Sequence, residues 1–216
     1  MAGAKSNGWF NSGMSYDAEA TRRRIFEAAS AEFAARGLAG ARIERIATEA
    51  RANKQAIYLY FGSKEKLFGA VVRAKMEEIG EGCEIDPERL TESVGRLFDW
   101  YREHPELIRL LLWEALETRG AVSGEEERRE EFRRKADRLA GAGDPAEPGP
   151  GAAEAKDLLF TIFGIIAWNF AVPQLRRLIL DEDDEAAAVA RRRAAVLEAA
   201  RVLAESHGSG PAGSAR

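Results

Sequence analysis

Apolar positions recur every third or fourth residue along almost the whole chain, which is the period of helices that each bury one face. Ile25, Ala29 and Phe33 form one i, i+4, i+8 row with Phe26 beside it; Asp17 or Thr21 suits the start as a cap, and Gly37 suits the end. Ile43, Ile46, Ala47 and Ala50 share one face of a second, shorter helix, closed by the turn Arg51-Ala52. Asn53 then offers a cap oxygen to a third short helix. On it Ile57 and Phe61 share one face while Lys54 and Tyr58 share another, with Gln55 and Leu59 alongside. Gly62-Ser63 stops this helix, and Ser63 caps a fourth from Lys64.

Leu90, Val94, Leu97, Phe98 and Tyr101 continue the helical spacing, and His104-Pro105 marks a break with proline at a first helical position. Leu107 to Leu116 is apolar nearly all round, which predicts burial on more than one side. Residues 125–140 put Glu125, Glu126 and Glu127 at one end and Arg133, Arg134, Lys135 and Arg138 towards the other, as the helix dipole favours. Glu130/Arg134 and Glu131/Lys135 stand at i, i+4 on a solvated face, and Phe132, Ala136 and Leu139 make a thin apolar stripe. The Gly- and Pro-rich residues 141–151 predict a flexible loop. A helix then carries an uncharged run up to Pro173, and a last one, from about Asp184 to Ser206, shows Val189, Val196, Ala200 and Leu203. No segment alternates apolar with polar residues, so the fold class is all-α.

The resulting division is a tail over residues 1–16, a three-helix unit over 17–63, a larger helical unit over 64–206 and a second tail over 207–216. The charge is divided unevenly. The whole chain is −4, but residues 17–80 are +3 and residues 81–216 are −8, so only the first part suits a polyanion. The lone cysteine, Cys83, excludes an internal disulfide and points to a reducing, cytoplasmic setting. The longest uncharged run, Leu158 to Val172, rises only about 22 Å as a helix, short of the ~30 Å of a bilayer core. It reads as buried, with no membrane partner.

Two short helices joined by a tight turn, the second capped and presenting polar side chains, meet the requirements of a helix-turn-helix. Such a helix fits the major groove of DNA. Lys54 can donate to guanine acceptors, and Gln55 can donate and accept as an adenine edge requires. Tyr58 and Tyr60 have hydroxyls for phosphate oxygens, and Lys64 stands beside the free N–H groups of a helix start. Singly, each lysine suits a solvated face and each tyrosine a half-buried one; together, around one capped helix, they point to double-stranded DNA.

The stretch from Thr21 to Val71, above all Ile43-Glu44-Arg45-Ile46-Ala47 followed by Ala56-Ile57-Tyr58-Leu59-Tyr60-Phe61-Gly62-Ser63-Lys64-Glu65-Lys66-Leu67-Phe68, resembles the DNA-binding domain of the TetR family of repressors. The resemblance implies base-reading and backbone-contacting roles for Asn53, Lys54, Gln55, Ala56, Tyr58, Leu59, Tyr60 and Lys64. Arg42 stands where the family often has a hydroxyl cap, which removes a cap and adds a phosphate contact. Arg51 stands where it commonly has glycine. Arg22, Arg23 and Arg24 suit either DNA contact or simple solvation.

The resemblance also implies a homodimer that binds a palindromic operator and a small apolar effector that releases it. The long apolar run nominates Phe160, Phe163 and Ile166, with Val196 and Leu203 of the last helix, for a dimer interface of four helices; an internal core helix is the other reading. Trp100, Tyr101 and Trp113 are the candidate pocket residues. No nucleophile elbow, phosphate-binding glycine loop or metal-ligand pair is present, and His104 and His207 are the only histidines, so no catalytic residue, metal or cofactor is expected. The competing function is a helical module for protein partners that does not touch DNA.

Overall fold

A computed structural model describes residues 10–82, 85–120, 122–141 and 151–208, and ten helices lie within them. They are α1 (Phe10–Gly40), α2 (Ile43–Glu49), α3 (Lys54–Phe61), α4 (Lys64–Gly82), α5 (Leu90–Glu103), α6 (Glu106–Glu117), α7 (Glu125–Leu139), α8 (Ala152–Ala171), α9 (Pro173–Leu180) and α10 (Glu185–Gly208). The described residues contain no strand, and the fold is all-α.

α1 begins at Phe10, so residues 10–16 are helical where the sequence pattern predicts a tail. Extending a helix that is already nucleated adds one hydrogen bond per residue fixed, and nothing in Asn11 to Tyr16 forbids it. Residues 1–9, Cys83, most of the predicted 141–151 loop (residues 142–150) and residues 209–216 of the second tail lie outside the described residues.

The chain forms two units. One combines the residues up to Val72 with Trp113–Ser123; the other combines Arg73–Leu112 with the residues from Gly124 onward. The boundary therefore falls inside α4, not before it at Ser63, and α6 contributes to both units.

In the first unit Ile25, Phe33, Ile46, Ile57, Leu67 and Val71 are fully buried, and Phe33 meets Phe68 edge to face with ring centres 5.1 Å apart. These are the apolar rows of the sequence pattern brought to one centre. The regular turns of α1 end at Gly37, whose φ of 68° lies in the region only glycine enters freely. A β-carbon there would lie 2.7 Å from the Trp113 ring.

The second unit is built on α5, whose Val94, Leu97, Phe98 and Tyr101 face Leu158, Ile162 and Ile166 of α8 and Val196 and Ala200 of α10 in one buried cluster. Arg193 of α10 clamps Asp99 of α5 with Nε and Nη2, at 3.0 and 2.8 Å. Pro173 ends α8 and starts α9, an element the periodicity did not single out. Having no N–H, Pro173 leaves the Asn169 carbonyl without its helical donor, and the buried Arg176 supplies one from Nη1 at 2.9 Å. α6 departs from the expected all-round burial: Leu107, Ile108 and Leu110 are buried, whereas Leu112 and Leu116 are exposed. No single described helix is long and apolar enough to cross a membrane.

Candidate nucleic-acid interface and ligand cavity

The helix-turn-helix is held from behind by α1. Arg42 caps α2 with no side-chain bond; its own N–H donates to Glu32 Oε1 of α1 at 3.0 Å, and Arg45 Nε donates to the same oxygen at 2.7 Å. Burial pushes the Glu32 carboxyl up, but the Arg45 and Arg42 hydrogen bonds outweigh it and hold the group below its ordinary value. Arg51 takes φ 49° in the turn, the conformation in which glycine costs least, and the Ala52 N–H reaches back to the Ala47 carbonyl at 2.9 Å. Arg24 Nε closes the Ala50 carbonyl at the end of α2, at 3.2 Å. Asn53 then accepts the Gln55 N–H at 2.9 Å as the cap of α3, and Ser63 Oγ accepts the Lys66 N–H at 3.2 Å as the cap of α4.

Ile57 anchors α3 in the core, and the rest of the helix faces outward. Asn53, Lys54, Gln55, Tyr58 and Leu59 are exposed, Ala56 and Tyr60 are half-buried, and Arg42 is exposed at the start of α2. Lys64 Nζ lies 3.4 Å from the Ala41 carbonyl. A shallow depression of about 400 Å³ brings Ala41, Arg42, Tyr58, Ser63 and Lys64 together, with Glu44 and Glu65 at its border. Lys54 is ion-paired with Glu44, a carboxylate the sequence reading did not single out. Of the three arginines on α1, Arg24 braces the turn, Arg22 lies over the Phe61 ring at 5.7 Å and Arg23 faces Glu27 at 3.8 Å.

The second unit contains a cavity of about 640 Å³ walled by α4, α5, α6, α7 and α8. Met76, Tyr101, Leu107, Leu111, Phe132 and Phe163 form its apolar lining, and Arg128, Arg129, Arg133, Lys135 and Lys156 supply its basic side. Of the three nominated pocket residues only Tyr101 lines it. Trp100 lies with its ring centre 4.4 Å from that of His104, tilted at 45°, and edge-on to Tyr101, and Trp113 belongs to the first unit, where Nε1 donates to the Ala34 carbonyl at 3.4 Å. Aromatic character and helical spacing are common to core and pocket, so they do not separate the two.

The nominated dimer residues divide as well. Ile166 and Val196 are buried in the protomer's own core, which gives them the internal-core reading in place of the dimer interface, and Leu203 is half-buried against the same core. Phe163 lines the cavity and meets Phe132 edge-on at 5.8 Å. Phe160 borders the cavity and is 82% exposed. Trp168, which belongs to the same apolar run, is 59% exposed on α8, and Leu178 and Ile179 of α9 are exposed as well. Among the described residues no cluster of His, Cys, Asp or Glu is placed to hold a metal ion.

Residues 25–71 match the family model described as bacterial regulatory proteins, tetR family, and residues 90–201 match that of the tetracyclin repressor-like C-terminal domain. The chain belongs to the TetR family of transcriptional regulators. Within the TetR family it is similar to the HTH-type transcriptional repressor SCO4008 of Streptomyces coelicolor, with 46% identity over 167 residues, 76% of this chain and 85% of the relative. It is also similar to the HTH-type transcriptional repressor NicS of Pseudomonas putida, with 41% identity over 106 residues, 46% of this chain and 50% of that one. Among solved structures, the transcriptional regulator SCO4942 of Streptomyces coelicolor superposes with a TM-score of 0.69 at 33% identity, covering 85% of this chain and 97% of that one. These TetR-family relatives are regulators, which sets aside both an enzyme and a helical module indifferent to DNA.

Proposed function

We propose that this repressor of the TetR family binds a palindromic operator as a homodimer, with one α3 helix in each of two successive major grooves, and that a small apolar ligand in the second unit's cavity releases it. The observation that supports the DNA contact is the outward face of α3. Lys54, Gln55, Tyr58 and Leu59 are exposed around a capped helix whose only fully buried residue is Ile57. In this reading Asn53, Ala56 and Tyr60 approach the same duplex from the edges of that face. Arg42 and Lys64, sharing one depression with the Tyr58 ring, take backbone phosphates. Such a protein works beside the chromosome, in the cytoplasm.

One reading head makes too few contacts for high specificity, so two copies must be held about 34 Å apart or a multiple of it. Trp168, Leu175 and Ile179 border one depression on the outside of α8 and α9, with Leu178 beside them, and Phe160 lies farther along α8. This apolar surface suits a second copy of the chain. The cavity of about 640 Å³ is of a size for a drug-like molecule, and a ligand that prefers one spacing of the heads shifts the population towards it.

The test is titration of the full chain against duplex from its own promoter region at several salt concentrations. Operator duplex binds more tightly than random duplex, binding weakens with salt, and Lys54→Ala and Tyr58→Phe lower affinity while the dimer persists. Equal affinity for all duplexes, or none, refutes the reading.

A further inference from the structure

α3 exposes one side chain for which its packing has no use. Leu59 is 80% exposed, more than any other residue on the outward face of α3 for which the apolar surface is large, while Ile57 on the opposite side supplies the helix's hold on the core. A lone exposed leucine is ordinary on a protein surface. This one is placed otherwise, because it stands four residues after Gln55 and so on the same face, one turn further along, with Tyr58 beside it. In the major groove every base edge presents hydrogen-bonding atoms, and the thymine C5 methyl, beside its O4, is the one apolar group that projects there.

Resting on the reading that α3 enters the major groove, we propose that Leu59 reads the C5 methyl of a thymine in each operator half-site. The base that Gln55 reads then lies one or two base pairs away, because four residues of helix rise about 6 Å and successive base pairs about 3.4 Å. Gln55 supplies a hydrogen-bonding contact suited to adenine; Leu59 supplies an apolar one. The two together select an A/T-containing step that neither lysine contact specifies. Leu59 is thus a specificity-determining residue, and its truncation relaxes base preference at one position without unsettling the fold.

The experiment uses the full chain and an operator obtained by selecting bound genomic fragments. Each thymine of a half-site is replaced in turn by deoxyuridine, which removes the methyl and keeps every hydrogen bond. For the wild type, one replacement per half-site weakens binding about fourfold, the value of one buried methyl, and replacement in both half-sites about sixteenfold. Leu59→Ala binds thymine and deoxyuridine duplexes equally at that position. Its circular dichroism and its response to substitutions at the base facing Gln55 stay those of the wild type. A wild type indifferent to every deoxyuridine replacement overturns the proposal, and so does a Leu59→Ala variant that still discriminates. Failure to select any operator at all would instead strike the parent reading of DNA binding.

Discussion

The Lys54 ammonium at the start of α3 is held by the Glu44 carboxylate of the helix before it, both groups lying in water on the face that turns away from the core. The hydrogen bond and the charge of Glu44 raise the Lys54 pKa, and Lys54 in turn lowers that of Glu44, so the pair is fully ionised across the neutral range. In the proposed complex DNA competes with this carboxylate for Lys54 and meets a negative charge beside its own phosphates. Glu44→Gln is expected to tighten binding to every duplex by a few-fold and to narrow the gap between operator and random sequence. Lys54→Ala should weaken binding instead and reduce the salt slope by about 0.9. Fluorescence anisotropy over a salt series measures both; weaker binding by Glu44→Gln would mean that Glu44 aims Lys54 and does not restrain it.

Glu32 is the joint between α1 and α2, taking the Arg42 N–H and the Arg45 guanidinium on one oxygen. Its pKa in the folded chain lies below the ordinary 4.5. Its contribution to stability is therefore fully present above the unfolded value and is lost as the pH falls through the lower folded one. Glu32→Gln is expected to cost about 1–2 kcal/mol at pH 7 and little once the wild-type group is itself protonated. Urea melts of the two chains at pH 7 and in acid, where the curves should converge, check the sign.

Two glycines of the first unit have no room for a β-carbon, for different reasons. At Gly37 the backbone is left-handed and the Trp113 ring stands 2.7 Å from the β position; at Gly69 the Ser123 β-carbon would stand 2.3 Å away. Gly37→Ala is expected to lose roughly 2 kcal/mol or more, with no single partner able to relieve it. Gly69→Ala should lose about 1–3 kcal/mol, and Ser123→Gly in the same chain should restore most of that. Thermal unfolding of the single and double variants distinguishes backbone strain from crowding.

These cases show where the amino-acid pattern speaks and where it stops. The caps at Asn53 and Ser63 and the stop at Gly37 are local, set by a residue and its immediate neighbours, and they are legible in the chain. Glu32, Glu44 and Trp113 act across 10 to 79 residues, as the Glu32–Arg42, Lys54–Glu44 and Trp113–Ala34 bonds do, and no local pattern marks them. The same limit explains why the residues nominated for the dimer interface mix enclosed with exposed ones. Periodicity shows that Ile166 and Phe160 lie on an apolar helix, yet only the neighbours decide that Ile166 is enclosed and Phe160 is not.

The cavity of the second unit suggests its own test. Ala167 lines it one helical turn after Phe163 on α8, and Ala167→Phe would place a ring in the space a ligand would take. DNA binding is expected to persist while the thermal stabilisation given to the wild type by an apolar ligand disappears. Screening the two chains side by side by thermal shift, and repeating the operator titration with any hit, measures both halves; a hit that stabilises both chains equally binds elsewhere.

Pairing of two chains is tested at Trp168. Its exposed ring borders a depression shared with Leu175 and Ile179, and Leu178 lies beside it, so removing these groups from water requires something apolar to cover them. An arginine at position 168 would have to be desolvated without a partner if a second copy covered this surface, a penalty large against the stability of most dimers. Trp168→Arg is therefore expected to yield monomers by analytical ultracentrifugation, with the helical content unchanged because position 168 faces away from the core. The same variant should bind a single half-site as well as the wild-type chain does and lose the added affinity of the full operator. If it stays dimeric, the pairing surface lies elsewhere, and the exposed row on α8 and α9 faces another partner.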